Sequence, residues 1–152
     1  MKYLKLSSKA KTLEDLKSIV KYSNVLSVFR FYAIKYSKEK ESILKQLKLE
    51  FDTNLIVRSS SSSEDNLQTS NAGGFDSVLN VNINSLDNIS NAIEQVISSY
   101  RDSLTNNDEV FIQPMLENVT MSGVIFTSDM DTLSSYYIVN YDESGSTTSV
   151  TS

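Results

Sequence analysis

Hydrophobic positions along this chain fall into alternating helical and strand spacings. Leu13, Leu16, Ile19 and Val20 share one face of a helix, with Thr12 as its expected cap and Asp15 in a capping-box-like position. Val25 to Ile34, rich in β-branched and aromatic residues, predicts a strand. Ser37 is the expected cap of a second helix that buries Ile43, Leu44 and Leu47. Leu55-Ile56-Val57 predicts a short buried strand that delivers Arg58 to its exposed end. A polar stretch, 59–74, precedes a strand from Ser77 to Val81. A helix from about Leu86 to Ser103 follows, with Ile89, Ala92, Ile93, Val96, Ile97 and Tyr100 on one face. Strands are expected at Val110 to Ile112, Met121 to Thr127 and Tyr136 to Tyr141. The mixture predicts a single α+β (mixed α/β) domain over residues 1–152, without internal repeats.

Composition narrows the chemistry. The chain has neither cysteine nor histidine, which excludes disulfides, thiolate or imidazole metal sites, and triads built on histidine. A metal here would need oxygen ligands, as magnesium or calcium does. No apolar run approaches the length of a bilayer span, and Met1-Lys2-Tyr3-Leu4-Lys5 lacks the core of a signal peptide, so a cytoplasmic protein is expected. The net charge of −5 hides an asymmetry. Through Arg58 thirteen basic residues face six acids; from Ser59 onward Arg101 alone faces thirteen. Solvated lysines on amphipathic helices account for the basic half, and anionic ligand binding is the other reading. The acidic majority argues against a nucleic-acid binder.

Glycine is scarce, so its positions are informative: Gly73 and Gly74 in Ser70-Asn71-Ala72-Gly73-Gly74-Phe75, Gly123 in Met121-Ser122-Gly123-Val124, and Gly145. Segment 58–74 has the best claim to chemistry. A strand leads into Arg58, serines supply hydroxyl and backbone donors, and a Gly-Gly loop can fold over a ligand. Arginine's planar fork suits phosphate oxygens. The spacing matches neither a P-loop nor a dinucleotide fingerprint. A serine-rich linker explains the same residues, so both readings stand on local chemistry. Gln113-Pro114-Met115-Leu116 leaves a strand; its backbone could pair with a purine edge while Met115 packs on the ring, or it is an ordinary turn with a core methionine.

Five stretches taken in order resemble the N-terminal nucleotide-binding domain of the phosphoenolpyruvate synthase and pyruvate phosphate dikinase family. They are Ile56-Val57-Arg58-Ser59-Ser60 with Glu64-Asp65, Ser70 to Phe75, Leu79-Asn80-Val81, Ile112-Gln113-Pro114-Met115, and Ser122 to Thr127. The whole sequence is most similar to short synthase-like proteins of bacterial surface-polysaccharide loci. The resemblance implies an ATP-grasp-like fold, largely antiparallel sheet with flanking helices, that clamps ATP. It implies that Arg58, with Ser59, meets the ATP phosphates and that Ala72, Gly73 and Gly74 cover them. Gln113, Met115 and Leu116 would line the adenine pocket. Lys9, in Ser7-Ser8-Lys9-Ala10-Lys11, corresponds to the family's phosphate-binding lysine, although serines stand where the family has two glycines; Lys11 is its rival.

The family's magnesium ligands, phosphohistidine domain and acceptor domain would lie beyond residue 152. The expectation is an ATP- and magnesium-dependent phosphotransferase whose small-molecule acceptor is pyruvate or another compound, represented here by a part that does not turn over alone. The small, polar stretch from Gly145 to Ser152 reads as a disordered tail or, because it lacks the proline and charge of a natural linker, as a cut inside a longer protein. The rival reading is a non-catalytic nucleotide-binding or scaffolding module. Two sequons, Asn88-Ile89-Ser90 and Asn118-Val119-Thr120, give a secreted glycoprotein little support without a signal peptide.

Overall fold

The computed structural model describes residues 7–61, 76–100, 104–129 and 131–146. The chain divides into two compact units, Met1–Met115 and Leu116–Ser152. The first contains helix α1 (Lys9–Lys17), strand β1 (Phe29–Tyr32), a 3-10 turn (Ala33–Lys35), helix α2 (Tyr36–Glu50), strands β2 (Leu55–Ser60) and β3 (Ser77–Val81), helix α3 (Leu86–Ser99) and strand β4 (Glu109–Pro114). The four strands form one antiparallel sheet in the order β1-β4-β2-β3. The second unit is a hairpin of β5 (Ser122–Phe126) and β6 (Ile138–Asp142). The mixed α+β class and the largely antiparallel sheet are as expected.

Strand residues alternate between faces, and the sheet's two faces differ in chemistry. One face carries Leu55, Val57, Val81, Val110 and Ile112, packed with Phe29, Phe31 and Val78. Against it α2 buries Ile43, Leu44 and Leu47, and α3 buries Ile89, Ala92, Ile93 and Val96. These are the helical stripes read from the sequence. Ser85 caps α3 by accepting from the Asn88 N–H at 3.2 Å.

Several boundaries differ from the sequence reading. Helix α1 starts a turn early because Ser8, not Thr12, is its cap: Ser8 Oγ accepts from the Lys11 N–H, and its carbonyl accepts from Thr12 N at 2.8 Å. Thr12 Oγ1 instead turns back to Ser7. The helix ends at Lys17, so Ile19 and Val20 lie outside it. Strand β1 is shorter than Val25 to Ile34, its ladder covering only four β4 partners, Ile112 through Glu109. Helix α2 grows out of the preceding 3-10 turn without a side-chain cap, so Ser37 does not serve as one. Helix α3 stops at Ser99.

Strand β2 runs past Val57 to Ser60 and pairs with β4 over its full length, Leu55 opposite Pro114 and Ser60 opposite Glu109. Arg58 therefore lies within a strand rather than at its exposed end. Tyr100, just past α3, closes the end of this ladder. Its buried hydroxyl donates to the Glu109 carbonyl at 2.6 Å and accepts from the Ser60 N–H at 2.9 Å. Tyr100→Phe strands two buried backbone groups. We expect it to lower stability by about 2 kcal/mol, within the cost of leaving such groups unpaired, as measured by urea unfolding.

On β3 a register shift sets Val57 opposite Val78 and Leu55 opposite Val81. Asn80 absorbs the extra residue at φ 55°, a conformation asparagine tolerates better than most side chains. In the hairpin, Gly123 lies opposite Tyr141, and a Cβ there would stand 2.7 Å from the Asn140 carbonyl oxygen. This glycine permits a close approach of two backbones. In the β5–β6 connection Asp129 Oδ1 accepts from the Asp131 and Thr132 N–H groups, and the Thr132 N–H chiefly holds its carboxyl below the ordinary range.

Candidate nucleotide-binding face

The sheet's second face is built from the alternate residues of the same strands. Register sets Arg30, Phe111, Arg58 and Ser77 in one row across β1, β4, β2 and β3. A second row holds Tyr32, Glu109 and Ser60, and on the other side Gln113 stands opposite Ile56. Residues opposite one another in antiparallel strands share a face. Phe111 is fully buried, and the Arg58 guanidinium carbon lies 5.5 Å from its ring centroid. That geometry attracts the cation to the ring. Gln113, 6% exposed, is the diagonal neighbour of Arg58 on this face.

Helix α1 is tied to the same face by polar bonds. The Ala10 N–H donates to Ser60 Oγ at 3.1 Å, and Ser8 Oγ donates to Glu109 Oε2 at 2.6 Å. Arg30 pairs through Nη1 with Glu109 Oε1, and its Nε stands 2.9 Å from Glu14 Oε1. Burial opposes the charge on Arg30, but the two carboxylates outweigh it and leave its pKa raised. Arg30 is thus a fixed cation already committed to two acids. Lys9, the first helical residue, sits between Ser8 and Ala10, which both touch the sheet. The Lys11 ammonium is drawn along its own helix to Asp15 at 2.6 Å and Glu14 at 4.0 Å.

The remaining expected site residues fall in different places. Ser59 is buried on the helix-packed face, in phase with Leu55 and Val57, whereas Ser60 shares the face of Arg58. Met115 is half-buried, and its N–H donates to the Asn54 carbonyl at 2.7 Å. Any backbone hydrogen bond between Met115 and a base would therefore be accepted by its carbonyl. Leu116 is 54% exposed and begins the second unit. Ala72, Gly73 and Gly74 lie outside the described residues. Among the described residues no group of three or more acids could hold a metal ion, and no helix is long and apolar enough to cross a membrane.

Comparison with known protein families matches residues 35–143 to the AMP/ATP-binding domain of pyruvate phosphate dikinase. This is well over half of the chain. The protein belongs to that family. A comparison with curated proteins gives no match. The matched span of this AMP/ATP-binding domain contains Arg58, Phe111, Gln113 and Met115. Lys9 and α1 precede it.

This face and its contacts with α1 also involve residues that the sequence reading did not single out: Ser8, Arg30, Ser60, Glu109 and Phe111. Their signal was present in part. Arg30 and Glu109 are lone charges of opposite sign in otherwise apolar strands, in Phe29-Arg30-Phe31 and Glu109-Val110-Phe111-Ile112. Such residues need partners when buried, but the sequence does not say which partners.

Proposed function

We propose that the face carrying Arg58, Phe111 and Gln113 is one wall of an ATP cleft, with Lys9 presented by α1 at its side. The observation that carries the reading is the half-buried Arg58, its guanidinium over the ring of buried Phe111 on a face that also bears Gln113. A polyphosphate suits this donor set, because Arg58 offers a planar fork and Lys9 a compact ammonium. Ser59 can contribute only through its backbone, its side chain being buried on the helix-packed face. Gln113, the Met115 carbonyl and side chain, and Leu116 supply the polar and soft apolar groups expected around adenine. Ala72, Gly73 and Gly74 are proposed to cover the phosphates.

In this reading the domain serves an ATP-dependent phosphotransferase of the phosphoenolpyruvate synthase type. A phosphoryl group of ATP passes to a histidine outside these 152 residues, since the chain has none, and then to pyruvate or another small acceptor. Positioning and charge neutralisation carry most of such chemistry. Magnesium, held by the phosphates and residues outside this chain, would supply part of the neutralising charge. Arg58 and Lys9 would orient the phosphate chain and offset its charge.

Arg58→Ala should weaken ATP binding by about 1.5–3 kcal/mol, the range for a hydrogen bond to a charged group. Isothermal calorimetry of the whole chain measures it, with far-UV circular dichroism to confirm the fold. Unchanged affinity would remove Arg58 from the site.

A further inference from the structure

Helix α1 has nine residues, of which only Ala10 is buried. A helix that short is marginal by itself, and with Leu13 and Leu16 only half-buried its place depends in part on specific polar ties. The longest in sequence joins Ser8 to Glu109. The Glu109 side chain is only 4% exposed and divides its oxygens: Oε2 accepts from Ser8 Oγ, while Oε1 pairs with Arg30. Ser8 Oγ works in both directions, accepting from the Lys11 N–H at 3.4 Å as the helix cap and donating to Glu109 at 2.6 Å. A hydroxyl has the one donor and spare lone pairs this requires. With the Ala10–Ser60 bond, the two ties bracket Lys9 on either side.

We infer that Glu109 is a positioning residue for the nucleotide face: acting through Ser8, it fixes the first turn of α1, and so Lys9, against the sheet face that bears Arg58. The inference rests on the proposed reading of that face as an ATP wall. It gives β4 two tasks at opposite ends, anchoring the lysine through Glu109 and presenting Gln113 to the base. It also explains why a charged residue occupies a buried strand position.

Two substitutions at Ser8 separate tethering from capping. Asparagine and aspartate both cap helices well, but only the asparagine amide can donate to Glu109, whereas aspartate sets a second carboxylate against it. Ser8→Asn should bind ATP within about twofold of the unaltered chain. Ser8→Asp should bind about tenfold more weakly, a coupling typical of residues in contact. In a Lys9→Ala background the two variants should bind alike. Amide hydrogen exchange over Lys9 to Asp15 should be faster in Ser8→Asp than in Ser8→Asn, while the sheet amides stay protected. Equal ATP affinity in the two Ser8 variants, with Arg58→Ala still weakened, overturns the positioning role and spares the reading of the face. A neutral Arg58→Ala overturns that reading, and the positioning role falls with it.

Discussion

Arg30→Met should cost about 3–5 kcal/mol of stability, the range for removing one partner of a buried ion pair. Methionine keeps most of the apolar stem and removes only the guanidinium. Glu109 is then left with Ser8 as its described side-chain partner, in a site that excludes most water. Because the Arg30 side chain is 27% exposed, water can reach the gap, and the lower end of the range is expected. Adding Glu109→Gln should recover much of the loss, since the orphaned charge disappears while a hydrogen-bonding group remains. Guanidinium unfolding of the single and double variants gives the coupling directly. A cost below 1 kcal/mol for Arg30→Met would show that another group compensates Glu109.

That expectation rests on contacts with no local signature. Ser8 and Glu109 lie 101 residues apart, so the bond that fixes the start of α1 could not be read from the residues around Thr12. Local rules offered Thr12 as a cap, and the distant carboxylate favoured Ser8. A similar cause extends β2. Ser59 and Ser60 look like the start of a linker, but their strand continues because the Glu109 end of β4 and the Tyr100 hydroxyl complete its hydrogen bonds. Helix α3 was legible for the opposite reason: Ile89, Ala92, Ile93 and Val96 form one apolar stripe, and burial follows from that pattern alone.

The candidate site divides along the same line. Arg58 could be selected because its strand, its charge and its neighbours in sequence agree. Its face could not, since choosing between Ser59 and Ser60 as its companion requires the strand register. Gln113 was found at the end of a strand, and the structure adds that it is the diagonal neighbour of Arg58 on that face. A serine-rich linker therefore fails as an account of residues 58–60, which lie within the central strands of the sheet.

Phe111 joins the stability of the sheet to the placement of Arg58, and its two roles can be separated. Phe111→Ala should cost about 3–5 kcal/mol, the usual loss for emptying a buried phenylalanine site. That variant is too damaged to report on binding. Phe111→Leu keeps most of the apolar volume and should cost only about 1–2 kcal/mol. What it removes is the ring beneath the Arg58 guanidinium, worth about 0.5–1 kcal/mol at a partly exposed site. Without the ring the arginine loses that attraction, and its fork should be less well placed for phosphate oxygens. ATP affinity should therefore fall about twofold to fivefold in Phe111→Leu, as that interaction energy converts. Arg58→Ala added to Phe111→Leu should then lower affinity by less than it does alone. Calorimetric titration beside urea unfolding tests both parts. If Phe111→Leu binds ATP as the unaltered chain does while Arg58→Ala does not, the ring serves the core alone and the orientation of Arg58 is set by other contacts.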